Sequence, residues 1–167
     1  MNKKILTEQA VYTGFVNTPK NFEINDKELI KDIYESKFTN NEIKFSKNWD
    51  ILNKYIIEFI QLKFHLGLKN KKTWGNIFRP KENYFYSLEV DLNDLKNSPD
   101  YVCLYGVDVK NCFINIHYDD NRNKGKQYRI ELKNNMFVIF SSSNYFDIIN
   151  NQENDLNYIQ NITYESD

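Results

Sequence analysis

The stretch Tyr101-Val-Cys-Leu-Tyr-Gly-Val-Asp-Val109, continued by Ile114-Asn-Ile-His-Tyr-Asp-Asp-Asn-Arg122 and by Met136-Phe-Val-Ile-Phe-Ser-Ser-Ser-Asn144, decides the fold class. It consists of short aromatic and β-branched runs parted by Asn, Asp, Gly and Ser, which is the chemistry of strands and turns. The same texture extends in both directions, and it predicts strands over 73–79, 84–90, 102–109, 112–118, 127–132, 136–141, 145–149 and 157–165. Lys133-Asn-Asn135 is a hairpin turn, because Asn tolerates positive φ. Asn97-Ser-Pro-Asp100 is a loop leading into a strand. Short strands with turns at this spacing predict a sandwich or jelly-roll barrel.

Upstream of Gly67 the hydrophobic period is helical. Asn25-Asp-Lys-Glu28 supplies a cap and an acidic first turn, and a helix is expected to run to about Glu35 with Leu29, Ile30 and Ile33 on its apolar face. A stronger helix starts at Ser46 as N-cap. Trp49, Leu52, Ile56, Phe59 and Ile60 recur at helical spacing, and Gly67 offers a stop. Such a stripe cannot stay solvated, so this helix is expected to lie on one face of the sheet. The chain reads as one domain over 1–167, mainly β with two N-terminal helices: a helical front over 1–70 and a β core over 73–165.

Composition narrows the function classes. A chain of 167 residues with 41% hydrophobic and 16% aromatic residues can bury a core without metal or disulfide help. A net charge of −1 provides no global attraction to nucleic acid or to an anionic membrane. No stretch has the pattern of a signal peptide or a membrane span, so a cytoplasmic location in the producing cell is expected. Cys103 and Cys112 lie in apolar runs and are read as reduced, buried thiols.

The β core resembles the double-stranded β-helix of the short 2-oxoglutarate/Fe(II) dioxygenases, especially phage-borne versions. The likeness covers about 73–165 and rests on the quoted strands and on Trp74-Gly-Asn-Ile-Phe-Arg79. The resemblance implies a metal held by two His and one carboxylate on one face, with positions left open for 2-oxoglutarate and oxygen. It places the first ligand pair in Tyr84-Phe-Tyr-Ser-Leu-Glu89, where Glu89 is the one carboxylate and no His occurs. It places the distal His near Tyr145 or Phe146, and it places an Arg that grips 2-oxoglutarate on the last strand, although no Arg follows Arg129. The chain has two histidines, His65 and His117. His117-Tyr-Asp119 has the His-x-Asp spacing, and with Glu89 it forms a weak alternative ligand set; a hydrogen-bonded strand His is the plainer reading.

No phosphate loop, zinc spacing or nucleophile elbow is present. The expectation from sequence is therefore a catalytically silent jelly roll, with no cofactor and no catalytic residue, acting as a binding or assembly component. It would be a phage protein placed in the neck, tail or capsid region of a virion, with other protein subunits as partners, an oligomer as one form, and neither membrane nor nucleic acid. The alternative is a divergent Fe(II)/2-oxoglutarate oxygenase with altered ligands. A small-ligand binder using the barrel mouth as a pocket is a third reading. Interface candidates are the aromatic residues Tyr84, Tyr86, Tyr145 and Phe146, together with the basic residues Arg122, Lys124, Lys126 and Arg129.

Overall fold

Two antiparallel sheets face each other and enclose one core, and a pair of helices covers the outer face of the larger sheet. The computed structural model describes residues 9–16, 26–39, 47–119 and 125–167. In chain order the elements are β1 (Tyr12–Phe15), α1 (Asp26–Thr39), α2 (Lys47–Phe64), β2 (Leu68–Phe78), β3 (Tyr84–Ser87), a short 3-10 turn (Leu95–Asn97), β4 (Tyr101–Asp108), β5 (Cys112–Asp119), β6 (Gly125–Leu132), β7 (Met136–Ser141), β8 (Phe146–Asn150) and β9 (Asn157–Ser166). Among the described residues, the larger sheet has the order β1-β7-β4-β9-β2 and the smaller β3-β8-β5-β6. From β2 to β9 the chain crosses to the other sheet at every step but one, the β5–β6 hairpin within the smaller sheet. This is the winding of a double-stranded β-helix, as the sequence led us to expect.

Residue alternation divides the larger sheet into two faces. Val102, Leu104, Val138, Phe140 and Ile159 point into the barrel, where they meet Ile114, Ile116, Phe146 and Ile148 of the smaller sheet. Cys103, Tyr105, Phe137, Ile139, Ile162 and Tyr164 point the other way, toward the helices. Against them α1 sets Leu29 and Ile33, and α2 sets Trp49, Leu52, Ile56 and Ile60, all at most 1% exposed. Each such side chain contributes about 1.5–3 kcal/mol of apolar transfer free energy. The stripe read from the sequence of α2 is therefore the stripe that docks.

Two local features fix how the helices seat. Gly75 of β2 lies directly beneath α1, and a Cβ there would fall 2.6–2.7 Å from three atoms of Ile33, its Cα among them. Only glycine permits this approach. The Gly75 amide also donates to Ser36 Oγ at 3.2 Å, while that hydroxyl donates to the Ile33 carbonyl at 3.0 Å. At the end of α2 the left-handed residue is His65, with φ 55° and its amide donating to the Gln61 carbonyl at 3.0 Å. The expected stop at Gly67 is corrected: the helix closes two residues earlier, and Gly67 has no positive φ. The expected caps Asn25 and Ser46 lie outside the described residues. In the β6–β7 hairpin Asn135 has φ 62°, as predicted for this turn, and Tyr105 Oη donates to its side-chain oxygen at 2.9 Å.

Candidate functional site at the barrel mouth

One end of the barrel is formed by the start of β2, the segment after β3, the start of β4, the β7–β8 turn and the end of β9. Along β2 the Cα register pairs Trp74 with Asn161 and Lys72 with Thr163 of β9. Gly75 faces α1, so Lys72, Trp74 and Asn76 fall on the barrel side. Asn76 Nδ2 donates to Asn161 Oδ1 at 3.0 Å, which orients both amides below the mouth. Above them a cavity of about 320 Å³ is lined by Lys71, Lys72, Trp74, Glu89 and Thr163 and by the loop from Asp91 to Pro99.

That loop is braced from within. The Ser98 hydroxyl accepts the Asp91 amide at 2.7 Å, and Asn97 Nδ2 donates to both carboxylate oxygens of Asp94 at 2.8 and 3.1 Å. Lys71 moors the loop to the barrel, donating to the Asn97 carbonyl and, at 2.7 Å, to Glu165 Oε1. It can do so because the β2–β9 register shifts between Asn70 and Lys72, leaving Lys71 opposite no residue of β9. Glu89 hangs into the cavity from the segment after β3, and burial pushes its carboxyl above its ordinary value. Thr163 is 3% exposed, and its hydroxyl has no hydrogen-bond partner among the described residues.

The positions that the resemblance assigns to metal ligands are neighbours here, since Ser87 pairs with Phe146 across β3 and β8. They do not fit a two-imidazole iron centre. The run Tyr84 to Glu89 offers the Glu89 carboxylate and no imidazole, and Tyr145 and the fully buried Phe146 offer only aromatic rings, where two imidazoles and a carboxylate are needed. The alternative set of His117, Asp119 and Glu89 is corrected as well. His117 lies on the outer face of the smaller sheet, where its Nε2 meets Asp147 Oδ2 at 2.7 Å, while Glu89 lies in the mouth cavity. Among the described residues no group of three or more His, Cys, Asp and Glu is placed to hold a metal ion. His65 closes α2 in the left-handed conformation.

The remaining candidates are scattered. Tyr84 and Tyr145 are 44% and 47% exposed, but Phe146 is fully buried, its ring 5.2 Å from that of Phe140. Of the Tyr145-Phe146 pair only Tyr145 meets solvent, because the alternation of β8 turns Phe146 into the barrel. Lys126 and Arg129 are exposed on β6, with the Arg129 guanidinium 4.2 Å from the centre of the Phe113 ring. Arg122, Lys124 and the side chain of Tyr86 lie outside the described residues. Sequence reading missed Lys72 and Thr163 as cavity residues. The signal was present, since Lys72 is two positions from Trp74 and must share its face.

Comparison with known proteins agrees with this architecture. No family model matches the chain, and no curated protein matches it. Among solved structures it is similar to a viral collagen prolyl hydroxylase from Paramecium bursaria Chlorella virus-1 in complex with 2-oxoglutarate, with TM-score 0.61 and 11% identity over 92% of this chain and 94% of that one. It is similar to a Pseudomonas putida prolyl-4-hydroxylase, with TM-score 0.65 and 10% identity over 94% and 88% of the two chains. A non-heme α-ketoglutarate-dependent carbocyclase of nogalamycin biosynthesis, SnoK, gives TM-score 0.64 and 9% identity over 96% and 80%. The chain has the double-stranded β-helix fold of the 2-oxoglutarate/Fe(II) oxygenases, so the likeness read from its strands holds at the level of fold. The expected silent assembly subunit is corrected by these neighbours, which are hydroxylases and 2-oxoglutarate-dependent enzymes matched over most of both chains. Among the described residues no helix is long and apolar enough to cross a membrane.

Proposed function

We propose that the chain is a divergent enzyme of the 2-oxoglutarate-dependent oxygenase class, working at the mouth of its barrel with an altered ligand set. One observation carries the reading: the carboxylate of Glu89, just past the end of β3, lines a cavity of about 320 Å³ at that mouth together with Trp74 of β2 and Thr163 of β9. A mouth cavity with few, convergent polar groups is where a barrel places its ligands. The fold match to 2-oxoglutarate-dependent enzymes supports the class. The lack of an imidazole in the run 84–89 and at Tyr145 and Phe146 supports the word divergent.

The chain's own residues have definable tasks. Trp74 provides a flat wall, Lys72 a cation and Glu89 a carboxyl desolvated by burial. Lys71, held by Glu165, keeps the covering loop in place and is not a ligand group.

The test is turnover of 2-oxoglutarate with added Fe(II), read as succinate, together with iron-dependent thermal stabilisation. Both are expected in the parent chain and are expected to be lost in Glu89→Gln. Absence of succinate and of stabilisation in the parent overturns the reading, and so does turnover that Glu89→Gln leaves unchanged.

A further inference from the structure

Among the described residues the sheets end in the edge strands β1, β2, β3 and β6, and the first three are poor templates for another chain. β1 and β3 have four residues each, and the pairing of β3 is irregular. β2 is long, but its ladder shifts between Asn70 and Lys72, and Lys69, Lys71 and Lys72 crowd that stretch. Short length, irregular pairing and clustered lysines are how proteins guard an open edge. β6 is different. All eight of its residues, Gly125 to Leu132, pair with β5 without a shift, and Gly125 to Arg129 are exposed in succession.

The direction of its backbone groups follows from β5. The His117 amide donates to the Tyr145 carbonyl at 2.8 Å, and the Asn151 amide donates to the Asn111 carbonyl at 2.9 Å. Odd-numbered residues of β5 thus turn their backbone groups toward β8. Alternation turns those of Cys112, Ile114, Ile116 and Tyr118 toward their β6 partners Leu132, Ile130, Tyr128 and Lys126. The amides and carbonyls of Gly125, Gln127, Arg129 and Glu131 therefore point away from β5, into the open edge.

A second copy of β6 can meet this edge about a two-fold axis, and charge selects the register. Centred on Arg129, the pairing sets Arg129 against itself. Centred on Glu131, it sets Glu131 against itself and Arg129 against Lys133. Centred on Tyr128, it gives neither charge an opposite. Centred on Ile130, it places Arg129 of each copy opposite Glu131 of the other, on the outer face where both side chains are exposed. The same register lays Tyr128, 51% exposed, opposite Leu132 of the second copy. The present contacts of these side chains, Arg129 over the Phe113 ring and Glu131 with the exposed Lys133 at 3.6 Å, leave the backbone edge unused. A net charge of −1 sets little repulsion against the approach.

We propose that the chain forms a two-fold dimer by antiparallel pairing of β6 with β6, centred on Ile130, so that the smaller sheets of the two copies continue into one another. Such a pairing uses each open β6 edge once and closes at two copies. It goes beyond the reading of the barrel mouth and calls on neither metal nor cosubstrate.

The experiment is sedimentation equilibrium of the full chain from micromolar to millimolar concentration, with circular dichroism to verify the fold of each variant. The parent is expected to reach the mass of a dimer. Arg129→Glu and Glu131→Arg each set like charges opposite one another, and each is expected to weaken dimerisation at least about tenfold. An equimolar mixture of these two variants restores opposite charges across the axis, and it is expected to form a heterodimer with the parent's affinity. Gln127→Pro removes an outward amide without touching the ladder to β5, and it is expected to weaken the dimer as well. A parent that stays monomeric, masses above the dimer, variants that dimerise like the parent, or a mixture that stays monomeric would each overturn the proposal.

Discussion

His117 Nε2 and Asp147 Oδ2 lie 2.7 Å apart on the outer face of the smaller sheet, and this contact joins β5 to β8 beyond their backbone ladder. Asp147 is only 7% exposed, and beside it across the ladder stands Asn115, whose buried side-chain oxygen has no hydrogen-bond partner among the described residues. The imidazole thus gives a largely buried carboxylate a hydrogen-bond partner on the neighbouring strand. Replacing it in His117→Ala removes this hydrogen bond and should cost about 0.5–1.5 kcal/mol. Urea unfolding measures it, and a loss within 0.5 kcal/mol of zero, the range of neutral surface changes, would show the pair to be idle.

Gly75 under Ile33 predicts a steric failure. In Gly75→Val the new side chain meets the Ile33 backbone, which cannot yield without lifting α1 from β2. Overpacking of this kind costs about 1–3 kcal/mol. Denaturant unfolding should show that loss, with earlier amide exchange in α1 than in the barrel strands. Uniform exchange across both regions would count against the helix as the element that gives way.

Glu89 predicts a dependence on pH. Its carboxyl is raised above its ordinary 4.5 by burial, so between that value and its higher folded value the native state holds a proton that the unfolded chain has released. By linkage, the stabilising effect of the protonated form is complete below pH 4.5 and is lost as pH rises through the folded value. Glu89→Gln removes the titration. The variant should match or exceed the parent near neutral pH and lose that advantage on acidification, a trend that melting temperatures across pH 4–8 either follow or refute.

Both cysteines are fully buried, and burial pushes the Cys112 thiol up to about 12 and that of Cys103 higher still. A thiolate-selective reagent at pH 8 should find neither one in the native protein, and both should react on unfolding at the rate of global opening. A fast equivalent in the absence of denaturant would contradict the packing of β4 and β5.

Much of the fold was legible because its signals are local. Met136–Ser141 is bounded by a turn and by serines, and its strand bounds agree with the expectation at both ends. The apolar stripe of α2 needs nothing but helical spacing to be seen. Legibility failed where the answer depends on a distant strand. β2 starts at Leu68 and not at Thr73, since pairing with β9 carries the polar run Lys69 to Lys72 into the sheet. Phe146 looked like half of an exposed aromatic pair until β3, β5 and β7 surrounded it. The mouth cavity was illegible for the same reason. Lys72 and Thr163 are far apart in the chain, and only the antiparallel register sets them face to face.

Lys71 has a meaning that follows from where the β2–β9 ladder skips. A strand lacking this residue would pair continuously and would still present Leu68 and Asn70 to the helices and Lys72 and Trp74 to the interior. The architecture has no use for it. What it supplies is a mooring line, so shortening β2 by that one position should leave the barrel standing and set its covering flap adrift.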